Sequence, residues 1–302
     1  MKLNQQRIPV LVTGANGQLG RELRGRVRPD SGFRFLFSDI SQLPGEETLY
    51  LDITHRDSVE LVCRSEGIRV IINCAGYTDV EKAEGDASMA DLLNHVAAAN
   101  LAAVAAETGA LLIHISTDYV FDGQRSEPYP EDWPASPIGV YGATKLLGEE
   151  AVCRSGCRYL IFRTAWLYSC YGKNFVKTML RLTGEREQLR VVVDQVGTPT
   201  WARDLAGLIL RVIEMPADRL PASGIWHFTD EGVCSWYDLA CAVRDLSGHK
   251  GCDVQPCLSR DYPTRARRPA YSVLDKTKVK ADFGISLPHW MDSLKSCLKE
   301  LL

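Results

Sequence analysis

The chain has 302 residues, 45% of them hydrophobic and 24% charged, with a formal net charge of −3. That composition suits a globular protein with one or two cores and lacks the basic footprint of a nucleic-acid binder. The opening MKLNQQRIPV holds no apolar leader core and no run of 18 apolar residues follows it, so the expectation is a cytoplasmic protein with neither nucleic acid nor membrane as partner.

The first apolar run, IPVLVTG (8–14), opens into ANGQLGREL, so Gly14, Gly17 and Gly20 fall where a strand turns into a helix. Free backbone N–H groups and the positive end of a helix suit a pyrophosphate there, and glycine lets the backbone come close; a plain tight turn is the alternative. FRFLFSD (33–39) ends in Asp39. A carboxylate at that point accepts a hydrogen bond from a ribose 2′-OH and disfavours a 2′-phosphate, or else caps the turn. The short TLYLD (48–52) ends in Asp52, placed for an adenine edge or for capping the helix that starts near Thr54. RVIINCAG (69–76) is followed by a long alanine- and leucine-rich helix, MADLLNHVAAANLAAVAAETG, stopped by Gly109. ALLIHIST (110–117) brings Ser116 and Thr117, with Asp118 next to them, to a strand tip, and RYLIFRTA (158–165) is the last clear strand.

Apolar runs without polar alternation are strands covered on both faces, and their alternation with helices marks βαβ units. The expected fold is α/β, a Rossmann-type doubly wound parallel sheet over residues 1–168, with a smaller C-terminal substrate-binding domain over 169–302. Segments near 194–213 and 225–230 are expected to cross back to the first domain. Ten cysteines are scattered without a C-x-x-C pair, which predicts reduced thiols and no zinc site. His114, Trp201, Trp226 and Trp236 read as core. The basic run TRARRP (264–269) reads equally as a solvated face or as a phosphate contact.

YGATK places Tyr141 and Lys145 four residues apart, on one face of a helix. An ammonium beside a phenol lowers the tyrosine pKa from about 10, which suits proton donation to a carbonyl oxygen while hydride arrives at carbon. Glycine triplet, hydroxyl at a strand tip and Y-x-x-x-K occur in that order along the chain.

With TGANGQLG, INCAGYTDVEKAE, HISTDYVFDG, VYGATKLLGE, FRTAWLY, DQVGTPT, GIWHFTD and RRPAYSVLD, the chain resembles the extended short-chain dehydrogenase/reductases that act on nucleotide sugars. Within that family the resemblance implies reduction of the 4-keto group of dTDP-4-dehydro-6-deoxy-L-mannose to dTDP-L-rhamnose, on a small-molecule nucleotide sugar and by a monomer or homodimer. It implies Tyr141 as proton donor, Lys145 on the nicotinamide ribose and Thr117 at the substrate oxygen. Gly17, Gln18 and Leu19 would lie along the pyrophosphate, Asp39 at the adenosine ribose, and Asp52 and Ile53 near the adenine. Ala75, Gly76, Tyr77 and Thr78 would line the cofactor. Asp118 and Trp166 would contact the sugar nucleotide, with Asn174 and Arg268 near its diphosphate. Asn94 matches the family's active-site asparagine, a backbone-bonding asparagine being the alternative.

Gly76 departs from the alanine run common in the family and is expected to loosen cofactor contacts. The cofactor is expected to be NADPH or NADH, since Arg26 and Arg34 leave room for a 2′-phosphate despite Asp39. Some members bind Mg²⁺ at a dimer interface, but the resemblance assigns no ligands here. An epimerase or dehydratase is the enzymatic alternative, weakened because Tyr119 stands where dehydratases carry a glutamate. A non-catalytic regulatory subunit like that of methionine adenosyltransferase is the other.

Overall fold

A computed structural model describes residues 7–302. Seven strands form the central sheet: β1 (Ile8–Thr13), β2 (Phe33–Asp39), β3 (Leu49–Tyr50), β4 (Val70–Asn73), β5 (Leu111–Thr117), β6 (Arg158–Thr164) and β7 (Gly224–His227). Their order is β7-β6-β5-β4-β1-β2-β3, and every pair is parallel. The order reverses between β4 and β1, which opens a crevice at the carboxyl ends of those strands. The doubly wound parallel sheet expected from the apolar runs is what forms.

The helices used below are α1 (Gln18–Arg24), α2 (Arg56–Ser65), α3 (Ala87–Thr108), α4 (Val140–Arg154), α5 (Phe175–Glu185), α6 (Ala202–Glu214), α7 (Trp236–Leu246), α8 (Thr277–Phe283) and α9 (Trp290–Leu301). Successive strand residues point to opposite faces, and here both faces are apolar. Val10, Val12, Ile72 and Phe162 pack against Leu19 and Leu23 of α1, Leu205 and Ile209 of α6, and Phe283 of α8. Leu11, Ile71, Leu112 and Ile161 face the other way, onto Val59 of α2, Ala98 and Leu101 of α3, and Val152 of α4. Each large side chain buried in this way contributes roughly 1.5–3 kcal/mol.

By length and composition α3, with 22 residues, could cross a membrane. In the fold its Ala97, Ala98, Leu101, Ala102 and Ala105 are wholly buried in the second of these layers. It ends at Gly109, left-handed at φ 70, the usual stop for a helix. Its middle, Leu92–Val96, widens into a π-turn.

Beyond β6 the chain builds a second layer of short ladders. Gln188–Val192 pairs with Asp253–Cys257, Leu167–Tyr168 with Thr200–Trp201, and Val196–Gly197 with Cys234–Ser235. Helices α5, α7 and α9 close this layer around Val176, Leu189, Leu239, Val254 and Leu294. Helix α7 starts with a full capping box, Ser235 with Asp238. The chain returns twice, as α6 packing on the central sheet and as β7 extending that sheet beside β6, and α8 joins them. All ten cysteines are free thiols.

Candidate active site

The two loops at the crevice come from the ends of β1 and β4. Gly14 turns at φ 65 and lies so close to the β4 loop that a Cβ would sit 2.5 Å from Ala75 N. At Gly20 a Cβ would meet Ala15 Cα and Gly14 O, both at 2.5 Å. Gly17 is the N-cap of α1 without any side-chain cap, so among the described residues the first N–H groups of α1 have no side-chain acceptor. A tight loop with open donors at a helix start fits a dinucleotide pyrophosphate.

Helix α4 carries the tyrosine and lysine. No side chain of its own caps it; Glu84 Oε1 accepts from Val140 N at 2.8 Å instead. Gly142 lets the helix lie on the loop after β5, since a Cβ there would be 2.1 Å from Tyr119 O. This seating places Tyr141 beside Thr117 and edge-on to the Tyr119 ring, at 5.5 Å and 74°. Thr117 ends β5; its hydroxyl donates to Asp118 Oδ1 at 3.1 Å and accepts from Tyr119 N. Lys145, one turn further along α4, is buried and donates from Nζ to Ile115 O at 2.6 Å.

These environments move the pKa values. Burial pushes Tyr141 up to about 12, opposed by the Thr117 hydroxyl. The fall expected from Lys145 is not found: burial dominates at the phenol, and the Lys145 ammonium donates to the Ile115 carbonyl. Burial brings Lys145 down to about 8, opposed by Glu149. Burial lifts Asp118 to about 6, against hydrogen bonds that include Thr117.

One cleft of about 880 Å³ joins these parts. Of the residues singled out in the sequence, Gly17, Gln18, Leu19, Ala75, Gly76, Thr78, Thr117, Asp118, Tyr141, Lys145, Trp166 and Arg268 line it. Others lie off its wall. Asp39 closes the turn after β2: it accepts from Asn16 N at 3.1 Å, Ser41 N at 3.0 Å and Ser41 Oγ at 2.8 Å. Asp52 accepts from Thr54 N at 2.9 Å and Thr54 Oγ1 at 2.7 Å, a local turn ahead of α2, whose N-cap is His55 with no side-chain cap, and Ile53 is buried core. Asn174 caps α5 through Lys177 N and donates to Gln18 Oε1 at 3.0 Å, so it ties α5 to the glycine loop with both amide atoms engaged. Asn94, in the π-turn, accepts from Tyr77 N at 2.9 Å and donates to Tyr77 O and Thr144 Oγ1, both at 3.1 Å. It adopts the backbone-bonding role and thereby holds the β4 loop against α4. Gly76 packs tightly there, for a Cβ would come within 3.0 Å of Asn94 Oδ1.

Two expectations need correction. Trp236 is not simply core; it lines the cleft, stacked on Trp166. His114 is satisfied on one nitrogen only, Nδ1 accepting from Asn73 Nδ2 at 3.0 Å while Nε2 has no partner among the described residues. Burial, with Lys145 nearby, keeps this ring neutral.

Arg190, Gln195 and Tyr262, which carry no individual expectation from the sequence, also line the cleft, as do Tyr119 and, from the TRARRP run, Thr264. A tyrosine directly after the Ser-Thr-Asp strand tip was a readable signal among them. In the TRARRP run, Arg268 pairs with Glu81 at 2.6 Å and Arg265 N donates to Glu81 Oε2 at 3.0 Å, so the run docks on the loop after β4. Among the described residues no group of three His, Cys, Asp or Glu side chains converges on a metal position.

A doubly wound parallel sheet, a glycine loop at its switch point, and a strand-tip threonine beside a helical Tyr-x-x-x-Lys are the architecture of a short-chain dehydrogenase/reductase. The family model described as the RmlD substrate binding domain matches residues 8–302. A dTDP-4-dehydrorhamnose reductase of Burkholderia thailandensis is 39% identical, covering 97% of this chain and 99% of the relative. The crystal structure of a dTDP-4-dehydrorhamnose reductase from Clostridium acetobutylicum has a TM-score of 0.89 at 40% identity, covering 97% and 99% of the two chains. That of the Bacillus anthracis enzyme in complex with NADP has a TM-score of 0.88 at 35% identity, with the same coverage. The chain belongs to the dTDP-4-dehydrorhamnose reductase family.

Proposed function

We propose that the protein reduces the 4-keto group of dTDP-4-dehydro-6-deoxy-L-mannose to give dTDP-L-rhamnose, with NADPH or NADH as the donor, in the synthesis of cell-surface polysaccharide. The observation that carries this reading is the meeting of Thr117, Tyr141 and Lys145 with the Gly17–Leu19 loop in one cleft, in a chain whose relatives are reductases of that name. We assign the sheet domain, residues 1–168 with the returning segments, to the dinucleotide, and residues 169–302 to the sugar nucleotide. We place the protein in the cytoplasm as a monomer or homodimer, with neither nucleic acid nor membrane as partner. The acidic net charge of −3 supports the absence of a nucleic-acid role.

The nicotinamide, when bound, supplies a hydride to the sugar C4. Tyr141 is protonated at neutral pH and gives its hydroxyl proton to the C4 oxygen as negative charge develops there. Thr117 orients the same oxygen and the tyrosine hydroxyl. Lys145, held in place by the Ile115 carbonyl, would hold the nicotinamide ribose through its ammonium. Asp118, Trp166 and Arg268 bind the sugar nucleotide, and Gln18 and Leu19 flank the pyrophosphate.

The test is to follow absorbance of NADH and NADPH separately with enzymatically generated dTDP-4-keto sugar, with and without Mg²⁺ or chelator. Stoichiometric consumption of one reduced cofactor is expected. Turnover with no net consumption would indicate a dehydratase or epimerase instead. No turnover, with tight association to another enzyme, would indicate a regulatory subunit.

A pH dependence follows from Lys145. Its pKa lies at about 8, so its charge is present below that value and lost above it. The kcat/KM of the free enzyme should therefore fall as pH rises through about 8, since this parameter reports free-enzyme ionisations. The residual activity of Lys145→Met should lack that limb. A flat wild-type profile from about pH 7 to about pH 10 would contradict the role given to Lys145.

A further inference from the structure

Among the described residues, Trp166 is the one non-glycine residue with a positive φ, 47. Such a conformation is rare for a bulky side chain and persists only where its surroundings over-determine it. The surroundings are specific. The Trp236 ring lies parallel to the Trp166 ring, with centroids 3.5 Å apart and planes within 6°. Gly197 covers the opposite face: a Cβ there would stand 2.6 Å from Cε2, 2.7 Å from Nε1 and 2.9 Å from Cζ2 of Trp166. Nearly equal distances to three consecutive ring atoms put Gly197 over the flat of the indole, and the face already stacked on Trp236 has no room for it. Phe175, at the start of α5, backs Trp236 at 4.6 Å.

Both jaws come from one short element. Gly197 pairs with Cys234, and Val196 with Ser235; Trp236 is the next residue. With both faces covered, Trp166 has its rim to offer the cleft it lines. An indole rim is electropositive and a face electronegative, so a rim prefers oxygen acceptors whereas a face prefers C–H groups or cations.

We infer that the Val196–Gly197/Cys234–Ser235 ladder is a jaw that fixes Trp166 edge-on, so that it recognises oxygen atoms of the sugar nucleotide rather than stacking on it. Gly197 and Trp236 are positioning residues that act through Trp166. This inference rests on the reductase reading above and adds to it the geometry of sugar recognition. A methyl at Gly197 expels the indole from its seat, and loss of the Trp236 ring frees one face so that Trp166 can turn.

The test uses Gly197→Ala, Trp236→Leu and Trp236→Phe in the full chain. Stacked indoles give an exciton couplet in circular dichroism, expected in the wild type and lost in both Trp236 variants. Trp236→Leu and Gly197→Ala should raise KM for the enzymatically generated dTDP-4-keto sugar by about three- to tenfold, with NADPH affinity unchanged. Trp236→Phe restores a flat ring and should bring KM back to within about twofold of the wild type. If Gly197→Ala fails to fold, the Leu/Phe pair alone decides. Wild-type KM in Trp236→Leu, or the same loss in Phe as in Leu, would overturn the inference while the wild type still turns over. A wild type that consumes no reduced cofactor would overturn the reductase reading, and this inference with it.

Discussion

Replacing Tyr141 with phenylalanine is expected to lower kcat by about 10²- to 10⁴-fold, the range a positioned general acid contributes. The substitution removes one oxygen and leaves the ring where it is, edge-on to Tyr119 at 5.5 Å and seated by the close approach of Gly142 to Tyr119 O. Helix α4 keeps its cap from Glu84, and Lys145 keeps its bond to Ile115 O. Nucleotide affinity should therefore persist, and stability should change by no more than about 1 kcal/mol, the worth of one hydroxyl hydrogen bond. NADPH binding by fluorescence together with single-turnover reduction separates the two effects. No other residue of the cleft substitutes readily. The Tyr119 hydroxyl is engaged by Arg268, and Asp118, at about 6, is mostly ionised at neutral pH. Full turnover in Tyr141→Phe would transfer the proton donor to another group and remove the central assignment.

The fold was legible because its signals are local. Strands buried on both faces read as unbroken apolar runs, and β1, β2, β5 and β6 fall within those runs. The stop at Gly109 follows from a left-handed conformation that glycine adopts without strain. The order of glycine loop, strand-tip threonine and Tyr-x-x-x-Lys was equally readable, and the fold brings the three into one cleft. What was not legible depends on contacts between distant segments. Helical spacing alone cannot show that burial dominates at the Tyr141 phenol or that the Lys145 ammonium donates to a strand carbonyl, so spacing gives the Tyr141 shift the wrong sign. Trp236 reads as core because it opens an amphipathic helix; only the ladder that brings it over Trp166 reveals its place in the cleft. Asp39 and Asp52 each allow two readings in the sequence, and spacing cannot show that N–H groups at Asn16, Ser41 and Thr54 donate to them in local turns. The π-turn around Asn94 leaves no mark in the apolar spacing.

Gly14→Ala is expected to weaken NADPH binding by at least about 100-fold and to cost about 2–5 kcal/mol of stability. Two separate penalties combine. The residue sits at φ 65, where an L side chain costs roughly 1–2 kcal/mol. The added methyl would also stand 2.5 Å from Ala75 N, 2.6 Å from Ala75 Cα and 2.8 Å from Cys74 C. All three are backbone atoms and cannot swing aside as a flexible side chain would, so the loops after β1 and β4 must separate, at a further cost of about 1–3 kcal/mol. Separation opens the pyrophosphate cradle and pulls at the Asn94 bonds that hold Tyr77, so the damage reaches the Lys145 side of the cleft. Gly17→Ala is the control: φ there is −74, and its Cβ would meet only Gly14 O, at 3.2 Å. It should fold like the wild type and lose no more than about tenfold in affinity. Calorimetric titration of NADPH, with thermal unfolding of both variants, reads the two penalties separately. Wild-type affinity in a folded Gly14→Ala would show that the strand–turn–helix at TGANGQLG is only a turn and that the dinucleotide binds elsewhere.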